Sequence, residues 1–211
     1  MRQSSLTGVF LGAVVAVAAV LYASSTTPGV AASVLPKATF AHTGAATSVP
    51  YGWVDFCRRY SGECDGAEEA RSIVLSQKSL KTIVSINKWV NANIEPVSDM
   101  SHWGVADHWD YPNDGKGDCE DYVLLKRKML MEEGFPRAAL LVTVVKDKKG
   151  EGHAVLTVKT DRGEFILDNM TDRIVSWDKT GYRFVKRQSQ EDQNVWVSIG
   201  EPTEAPATVS R

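Results

Sequence analysis

The feature that most constrains this chain is an acid-flanked cysteine that follows two glycines, at residues 115–122. Asp118 is a good N-cap residue, and Asp121, three positions later, completes an approximate capping box. The pattern therefore predicts a helix with Cys119 in its first turn. At that position the unpaired backbone N–H groups and the helix dipole favour a thiolate.

Apolar residues after Cys119 continue this helix. Tyr122, Leu125 and Met129 recur at helical spacing, which predicts one apolar face. Gly134, followed by Phe-Pro, is a typical helix stop.

Composition limits the class of protein. The chain has 211 residues, of which 43% are hydrophobic and 24% are charged, and this suits one globular domain with a substantial core. The formal net charge is -2, and no block of lysine and arginine forms a basic stripe. We therefore expect no nucleic-acid partner.

The N-terminal sequence predicts export. An apolar run over residues 6–23 follows an arginine and is itself followed by small residues, so residues 1–25 resemble a secretory signal peptide. The alternative is an uncleaved membrane anchor, because the run is close to the minimum spanning length. Residues 26–49 are rich in Ala, Ser, Thr and Pro and are predicted to be a linker. The domain is expected at 50–200, with a flexible tail at 201–211, and it is expected to work in the periplasm.

Cysteine usage agrees with export. Cys57 and Cys64 lie close together and would form a local disulfide in an oxidising compartment. Two free thiols are the alternative, and a zinc site is disfavoured because no second Cys/His pair has ligand spacing. This pairing leaves Cys119 as a free thiol whose acidic and glycine neighbours are unlike a hydrophobic core.

The order of elements predicts an α+β fold. Residues 51–64 are expected to form an ordered loop or edge segment, and residues 67–93 one helix or two helices that meet near Ser79. An antiparallel sheet should follow the cysteine helix. Its predicted strands are 139–145, 153–159, 164–169, 182–187 and 194–199.

The irregular segment 97–116 is rich in aromatic residues. Long loops of this kind are usually functional or disordered, and the aromatic content argues against disorder. We expect it to pack over the start of the cysteine helix and to form one wall of a cleft. His102 and His108 within it are candidate metal ligands or bases, but their spacing favours simple hydrogen bonding.

A predicted hairpin brings a histidine and an acid together. If Asp161-Arg162 is a two-residue turn, Asp168 becomes a diagonal neighbour of His153 on the same face. A three-residue turn would place the two side chains on opposite faces. A thiol needs a base to take its proton, and an imidazole needs a third group to fix its tautomer. Cys119, His153 and Asp168 are therefore the candidate catalytic residues.

Three acids surround the cysteine. Asp118, Glu120 and Asp121 bring negative charge to the sulfur, which disfavours a thiolate unless something offsets it. A protonated His153, the helix N-terminus and a bound Ca²⁺ are the candidates for this role. The alternative is that these residues are solvated first-turn acids, and no EF-hand spacing is present.

Several motifs together resemble a known family, the bacterial transglutaminase-like cysteine proteinases, which include LapG-like periplasmic proteases. The specific combination is the acid-flanked cysteine with the later His and Leu-Asp-Asn. The matching segments are GDCEDY at 117–122, HAVL at 153–156, LDN at 167–169, DHWDYP at 107–112 and INKWVN at 86–91.

This resemblance implies a papain-like, transglutaminase-type fold and a periplasmic protease with Cys119, His153 and Asp168 as its triad. LapG-like members release large surface adhesins by cutting near the adhesin N-terminus. They depend on calcium held by acids beside the cysteine, which by position are Asp118 and Glu120 here, with Asp121 as a further candidate. An inner-membrane receptor that senses cyclic di-GMP holds them in check.

The sequence therefore predicts a periplasmic cysteine endopeptidase that forms an acyl-enzyme. Two alternatives remain. The same triad could transfer the acyl group to an amine, as in a transglutaminase, or act as an amidase on envelope peptides. The domain could also be a calcium-dependent binding module without catalysis.

Overall fold

A computed structural model describes Met1 and residues 34–200 of the chain. Apart from Met1, the predicted signal peptide lies outside the described residues, as does the predicted tail at 201–211. In the part of the chain that is described, no helix combines the length and the apolar character that crossing a bilayer requires.

The fold has helices in its first half and a sheet in its second half. The helices are α1 (Tyr51–Arg59), α2 (Ser61–Cys64), α3 (Gln77–Asn93), α4 (Asp99–His102) and α5 (Cys119–Glu132). The strands are β1 (Thr43–Thr47), β2 (Glu95–Pro96), β3 (Lys116–Gly117), β4 (Leu140–Lys146), β5 (Gly152–Thr160), β6 (Gly163–Asp168), β7 (Thr171–Ser176), β8 (Arg183–Gln188) and β9 (Trp196–Ile199).

The larger sheet is antiparallel throughout and has the strand order β1-β9-β8-β4-β5-β6-β7. Strands β2 and β3 pair separately in parallel and lead into α5. Helix α5 packs against β5, and α3 packs against both α5 and β7. This mixed arrangement of helices and antiparallel sheet is the predicted α+β fold, of the transglutaminase type.

Helix α5 begins at Cys119 and ends at Glu132, as its sequence predicts. Gly134 ends it in the left-handed region at φ 84°, where a residue with a Cβ is strained. The burial pattern is broader than the predicted single face. Leu125 and Met129 are only half-buried, whereas Lys126 and Arg127 are buried.

Aromatic rings join the first helix to the rest of the core. Trp53 and Phe56 of α1 stack at 5.5 Å between centroids, and Trp53 meets Trp109 and Trp196 edge-on at 6.4 and 6.5 Å. The ring contacts therefore connect α1, the segment before α5 and the strand β9.

The predicted linker at 26–49 is wrong in its described C-terminal part. Strand β1 pairs with β9 at the sheet edge, and Ala38 donates its backbone N–H to Arg162 O at 2.8 Å. All five residues of β1 are exposed. The strand is held by backbone pairing, so it carries no apolar alternation that sequence analysis could detect.

The predictions for residues 51–64 and 67–93 also need correction. Residues 51–64 form α1 and α2 rather than a loop, with Trp53 and Phe56 giving α1 its buried face. Residues 67–76 are extended, and a single helix starts at Gln77. Ser76 and Ser79 cap this helix reciprocally, so Ser79 marks a helix start and not a junction.

Four strands were missed: the edge strands β1 and β7 and the two-residue strands β2 and β3. β7 pairs with β6 at the edge of the sheet, and its residues are half-buried or exposed. An edge strand of this kind has only a weak apolar pattern. All five predicted strands are present, each within about two residues of its predicted ends.

Candidate active site

The start of α5 is built by short-range contacts. The Asp118 N–H donates to Asp121 Oδ2 at 3.2 Å within a capping box. A Cβ at residue 117 would lie 2.6 Å from Asp121 Oδ2, so only glycine lets the Asp121 carboxylate close on the chain. These contacts place Cys119 in the first turn of the helix, as predicted.

The hairpin that carries the histidine has the predicted register. Thr160 pairs with Gly163, so Asp161-Arg162 is a two-residue turn. At the other end of this pair of strands, His153 Nε2 lies 2.9 Å from Asp168 Oδ1. The predicted contact between these side chains is therefore formed.

The sulfur lies beside this pair. The N–H of Ala154, the residue after His153, donates to Cys119 Sγ at 3.3 Å. Since His153 Nε2 is taken by Asp168, Nδ1 is the ring nitrogen left to exchange a proton with the sulfur. The fold thus brings together all three residues that sequence analysis selected for catalysis.

The charges of the pair are strongly coupled. Burial opposes the charge of His153, but hydrogen bonds to Asp168 and Cys119 outweigh it and raise the histidine pKa to about 10. Burial likewise opposes the charge of Asp168, while the hydrogen bond and charge of His153 lower its pKa overall. An imidazolium next to a carboxylate is the favoured state at neutral pH.

Tyr182 completes this side of the site and was missed by sequence analysis. Its hydroxyl donates to Asp168 Oδ2 at 2.6 Å, and its ring meets the His153 ring edge-on at 5.6 Å between centroids. The Met170 N–H donates to Asp168 Oδ1 at 3.0 Å. Tyr182 directly precedes β8, which is not adjacent to β6 in the sheet, so no sequence signal connects it to Asp168.

A second missed residue is Lys126, two turns along α5 from Cys119. Its ammonium is buried without a hydrogen-bond partner and lies 5.7 Å from the centre of the Tyr122 ring. Burial lowers its pKa to about 7, and the charges of Asp168 and Asp172 only partly oppose this shift. Lys126 is the first residue of the basic run Lys126-Arg127-Lys128, so the sequence gives no sign that it is buried.

The three predicted metal ligands lie together on the other side of the cysteine. One carboxylate oxygen each of Asp99, Asp118 and Asp121 lies within 4.8 Å of the other two. A carboxylate oxygen of Glu120 lies within the same distance of an Asp118 oxygen and of Cys119 Sγ. Asp99 was not among the predicted ligands. It lies in α4 and joins the cluster only through folding of the segment before α5.

That segment packs on the helix start, as predicted. The Asp99 N–H donates to Asp118 Oδ2 at 3.1 Å, and the Asp110 N–H donates to Asp121 Oδ1 at 2.7 Å. The His108 N–H donates to Asp99 Oδ2. Backbone groups of the segment thus hold the carboxylates in place.

Burial makes these acids costly to ionise. It raises the pKa of Asp99 to about 6 and that of Asp121 to about 8, and nearby acids add to the shifts. It raises the pKa of Glu120 well above its usual value, and the charges of Cys119 and Asp118 add to this. Glu120 Oε2 also accepts the Cys119 thiol hydrogen at 3.2 Å.

The remaining candidate residues have structural partners. His102 Nε2 lies 2.8 Å from Asp114 Oδ2, and His108 Nε2 lies 3.6 Å from Asp110 Oδ2. The His102 contact fits the hydrogen-bonding role that its spacing favoured, whereas the His108 contact is longer than a hydrogen bond. The predicted disulfide between Cys57 and Cys64 is formed, and Cys119 is a free, buried thiol.

A cleft of about 630 Å³ reaches the site from the side of Asp168 and Tyr182. Cys119 and His153 are each 0% exposed, and Asp168 is 3% exposed. The carboxylate end of the arrangement therefore borders the cleft, while the sulfur is enclosed.

A thiol at a helix N-terminus beside a His–Asp pair on an antiparallel sheet defines a cysteine hydrolase of the papain and transglutaminase type. The family model described as bacterial transglutaminase-like cysteine proteinase (BTLCP) matches residues 43–204. This chain belongs to that family.

Solved structures of LapG from Legionella pneumophila are similar to this chain. The calcium-bound form is 23% identical, covers 60% of this chain and 74% of its own, and has a TM-score of 0.48. The EGTA-treated form is 23% identical, covers 58% and 71%, and has a TM-score of 0.47. No curated protein gives a significant match.

Proposed function

We propose that this protein is a periplasmic cysteine endopeptidase in which Cys119 is the nucleophile, His153 the general acid and base, and Asp168 the orienting carboxylate. The observation that carries the proposal is the 2.9 Å contact between His153 Nε2 and Asp168 Oδ1. Cys119 Sγ lies beside this pair and accepts the N–H of Ala154 at 3.3 Å. Membership of a cysteine proteinase family supports the reaction class.

The geometry assigns one task to each atom. His153 carries the thiol proton on Nδ1, so Cys119 Sγ attacks the substrate carbonyl as a thiolate, while Asp168 keeps the Nε2 proton in place. The same Nδ1–H then protonates the leaving amine, which departs and leaves a thioester on Cys119. Water, deprotonated by His153, hydrolyses the thioester and restores the thiol. The Cys119 backbone N–H is the expected donor to the oxyanion, because it lies in the first helical turn.

The acids beside the cysteine suit a hard cation. Asp99 Oδ1 and Glu120 Oε1 are buried without hydrogen-bond partners, and the ion pairs within residues 34–200 include neither acid. Carboxylate oxygens are the ligands that Ca²⁺ prefers. Asp99, Asp118, Glu120 and Asp121 would hold the ion. When bound, it would neutralise carboxylate charge next to the sulfur and end the competition of Glu120 for the thiol proton.

The site of action and the substrate follow from the family resemblance and from the predicted signal peptide. We propose that the substrate is a large surface adhesin, cut near its N-terminus, and that an inner-membrane receptor for cyclic di-GMP controls access. The enclosed sulfur fits a controlled enzyme, since substrate must open a path from the cleft to Cys119.

Two measurements on the purified protein test the proposal. The first is alkylation by iodoacetamide at neutral pH, in which Cys119 should react faster than an ordinary thiol because His153 and Asp168 stabilise its thiolate. Cys57 and Cys64 are bonded to each other, so the label reports Cys119 alone. An unreactive thiol in folded protein would favour a binding module and would contradict the proposal.

The second measurement is cleavage of an adhesin N-terminal fragment by wild type and Cys119→Ala, with calcium or EGTA. Cleavage that disappears in the variant and in EGTA is the expected result. Cleavage that persists in EGTA would remove calcium from the proposal, and incorporation of an added amine in place of hydrolysis would assign the protein as a transglutaminase.

A further inference from the structure

The cleft beside the active site carries an excess of positive charge. Lys148 and Lys149 border it from the turn between β4 and β5, Arg173 from β7, and Lys179 from the short helical turn after β7. All four residues are exposed to solvent. They come from separate parts of the chain, and only the fold brings them to one cavity.

These cations are not neutralised inside the protein. The ion pairs formed within the described residues 34–200 include none of the four. Two of them follow an acid that has another partner: Asp178, before Lys179, accepts a hydrogen bond from the Ser176 hydroxyl, and Asp172, before Arg173, accepts one from the Asn91 side chain at 3.0 Å.

The two acids that border the cleft have other partners. Asp147 Oδ1 accepts the N–H groups of Lys149 and Glu151 at 2.9 Å each, which stabilises the turn. Asp168 is held by His153 and Tyr182. The basic side chains are therefore available to a ligand.

The position of Lys148 connects this charge to the active site. A Cβ at Gly181 would lie 3.0 Å from Lys148 Cε, so the lysine stem crosses the chain next to Tyr182. Tyr182 in turn contacts Asp168 and the His153 ring. The basic lining and the catalytic pair thus share one wall of the cleft.

We propose that this cleft is a substrate subsite that binds an acidic, extended segment of the polypeptide to be cut. The inference rests on the proposed peptidase function and names its substrate class. Lys148, Lys149 and Arg173 would pair with Asp or Glu side chains, while the half-buried Val175 would contact the apolar parts of the segment.

The shape of the site favours a polypeptide over a membrane. A cavity of about 630 Å³ admits several residues of an extended chain, and its continuity with Asp168 leads that chain toward the scissile position. An anionic bilayer is flat and would meet the rim of the cleft but not its interior.

The test is peptide binding to the Cys119→Ala protein, which cannot cut its ligand. The probes are fluorescein-labelled peptides of about ten residues, one of alternating Glu and Ala and one of alternating Gln and Ala, read by fluorescence anisotropy. The acidic peptide should bind at least about tenfold more tightly at low salt, and the difference should shrink as salt is added.

Charge reversal locates the site. Lys148→Glu/Lys149→Glu, made in the Cys119→Ala protein, should weaken binding of the acidic peptide at least about tenfold, and Arg173→Glu should weaken it to a lesser degree. The matched control is Lys78→Glu/Lys81→Glu, which makes the same charge change at exposed residues of α3 that do not border the cleft. The control should change affinity by less than about twofold.

Three outcomes would overturn the inference: equal binding of the two peptides, an equal loss in the control variant, or lysine-dependent binding to phosphatidylglycerol vesicles without binding to the acidic peptide. Failure here is distinct from failure of the proposed function. Reactive Cys119 and cleavage without acidic-peptide binding would reject the subsite alone. Binding together with an unreactive Cys119 would keep the subsite and reject the peptidase.

Discussion

Two groups of buried polar side chains flank Cys119, and they differ in how their charge is balanced. On one side His153 and Asp168 carry opposite charges, and Tyr182 donates a further hydrogen bond to the carboxylate. On the other side Asp99 and Glu120 face like charges and keep buried oxygens without hydrogen bonds. A buried charge is tolerated when an opposite charge accompanies it, so the charges of the first group balance each other, whereas the second group needs protons or a cation.

The largest effect is expected when His153 is removed from the charge-balanced group of His153, Asp168 and Tyr182. We expect His153→Ala to lower kcat/KM for peptide cleavage by about a thousandfold, because a positioned acid and base contributes on the order of 10²–10⁴. Alkylation of Cys119 by iodoacetamide should slow at least about tenfold, since the thiolate loses its counterion. The matched control is His102→Ala, which removes another candidate histidine that contacts an acid. Equal losses in the two variants would contradict the assignment of His153.

The acid cluster of Asp99, Asp118, Glu120 and Asp121, whose charges are not balanced within the protein, is tested by measuring thermal stability with and without calcium at two pH values. The pKa values of Asp99, at about 6, and Asp121, at about 8, lie above those of unfolded aspartate. The folded state therefore binds more protons than the unfolded state between about pH 4 and 8, and its stability falls as pH rises through this range. In EGTA the Tm should be lower at pH 8 than at pH 5. Calcium at about 100 times its Kd should restore about 2.7 kcal/mol at pH 8 and less at pH 5, where protons compete.

Glu120→Gln is the matched variant for this experiment. It keeps the shape of the side chain but removes a charge that burial opposes. In EGTA it should be more stable than wild type at pH 8 and should respond less to calcium. Identical thermal responses of the two proteins would remove Glu120 from the cation site.

A smaller effect is expected at Lys126, a buried charge on the side of Asp168. Its pKa of about 7 lies below that of an unfolded lysine, so the folded protein carries the full cost of its charge below pH 7. That cost is relieved as pH rises toward 10, because the unfolded state then also loses its proton. Lys126→Met should raise the free energy of unfolding by about 2 kcal/mol at pH 6 and by less at pH 9.

The control for Lys126→Met is Lys88→Met on α3, which changes the same charge at an exposed position. It should leave stability within about 0.5 kcal/mol at both pH values. A loss of stability in Lys126→Met would show that the ammonium has a partner whose contribution exceeds the cost of burial.

The smallest effect is expected at Tyr182, where one bond of the balanced group is removed. Tyr182→Phe takes away the hydroxyl bonded to Asp168 but leaves the bonds from His153 and the Met170 N–H. We expect kcat to fall about tenfold with little change in KM, since one hydrogen bond to a charged group contributes about 1.5 kcal/mol. Tyr51→Phe, at an exposed tyrosine, should leave both constants unchanged.

How far the sequence predicts this protein depends on the range of the contacts involved. The start of α5 rests on residues within four positions of one another, and its capping box was predictable from Asp118 and Asp121. The position of Asp168 relative to His153 rests on a hairpin whose turn sets the register. Periodicity failed where burial does not alternate, as in the exposed strand β1 and the extended stretch 67–76.

The sequence by itself determined the class of chemistry: a cysteine at a helix start, a histidine and an acid on one hairpin, and three acids beside the thiol. The order of strands and the packing of α4 on α5 were decided only by tertiary structure. They bring Tyr182 to Asp168 and Asp99 to the acid cluster, and they bury Lys126. The physical reason is that local hydrogen bonds act between residues close in sequence, whereas burial and charge pairing depend on every element that packs against a side chain.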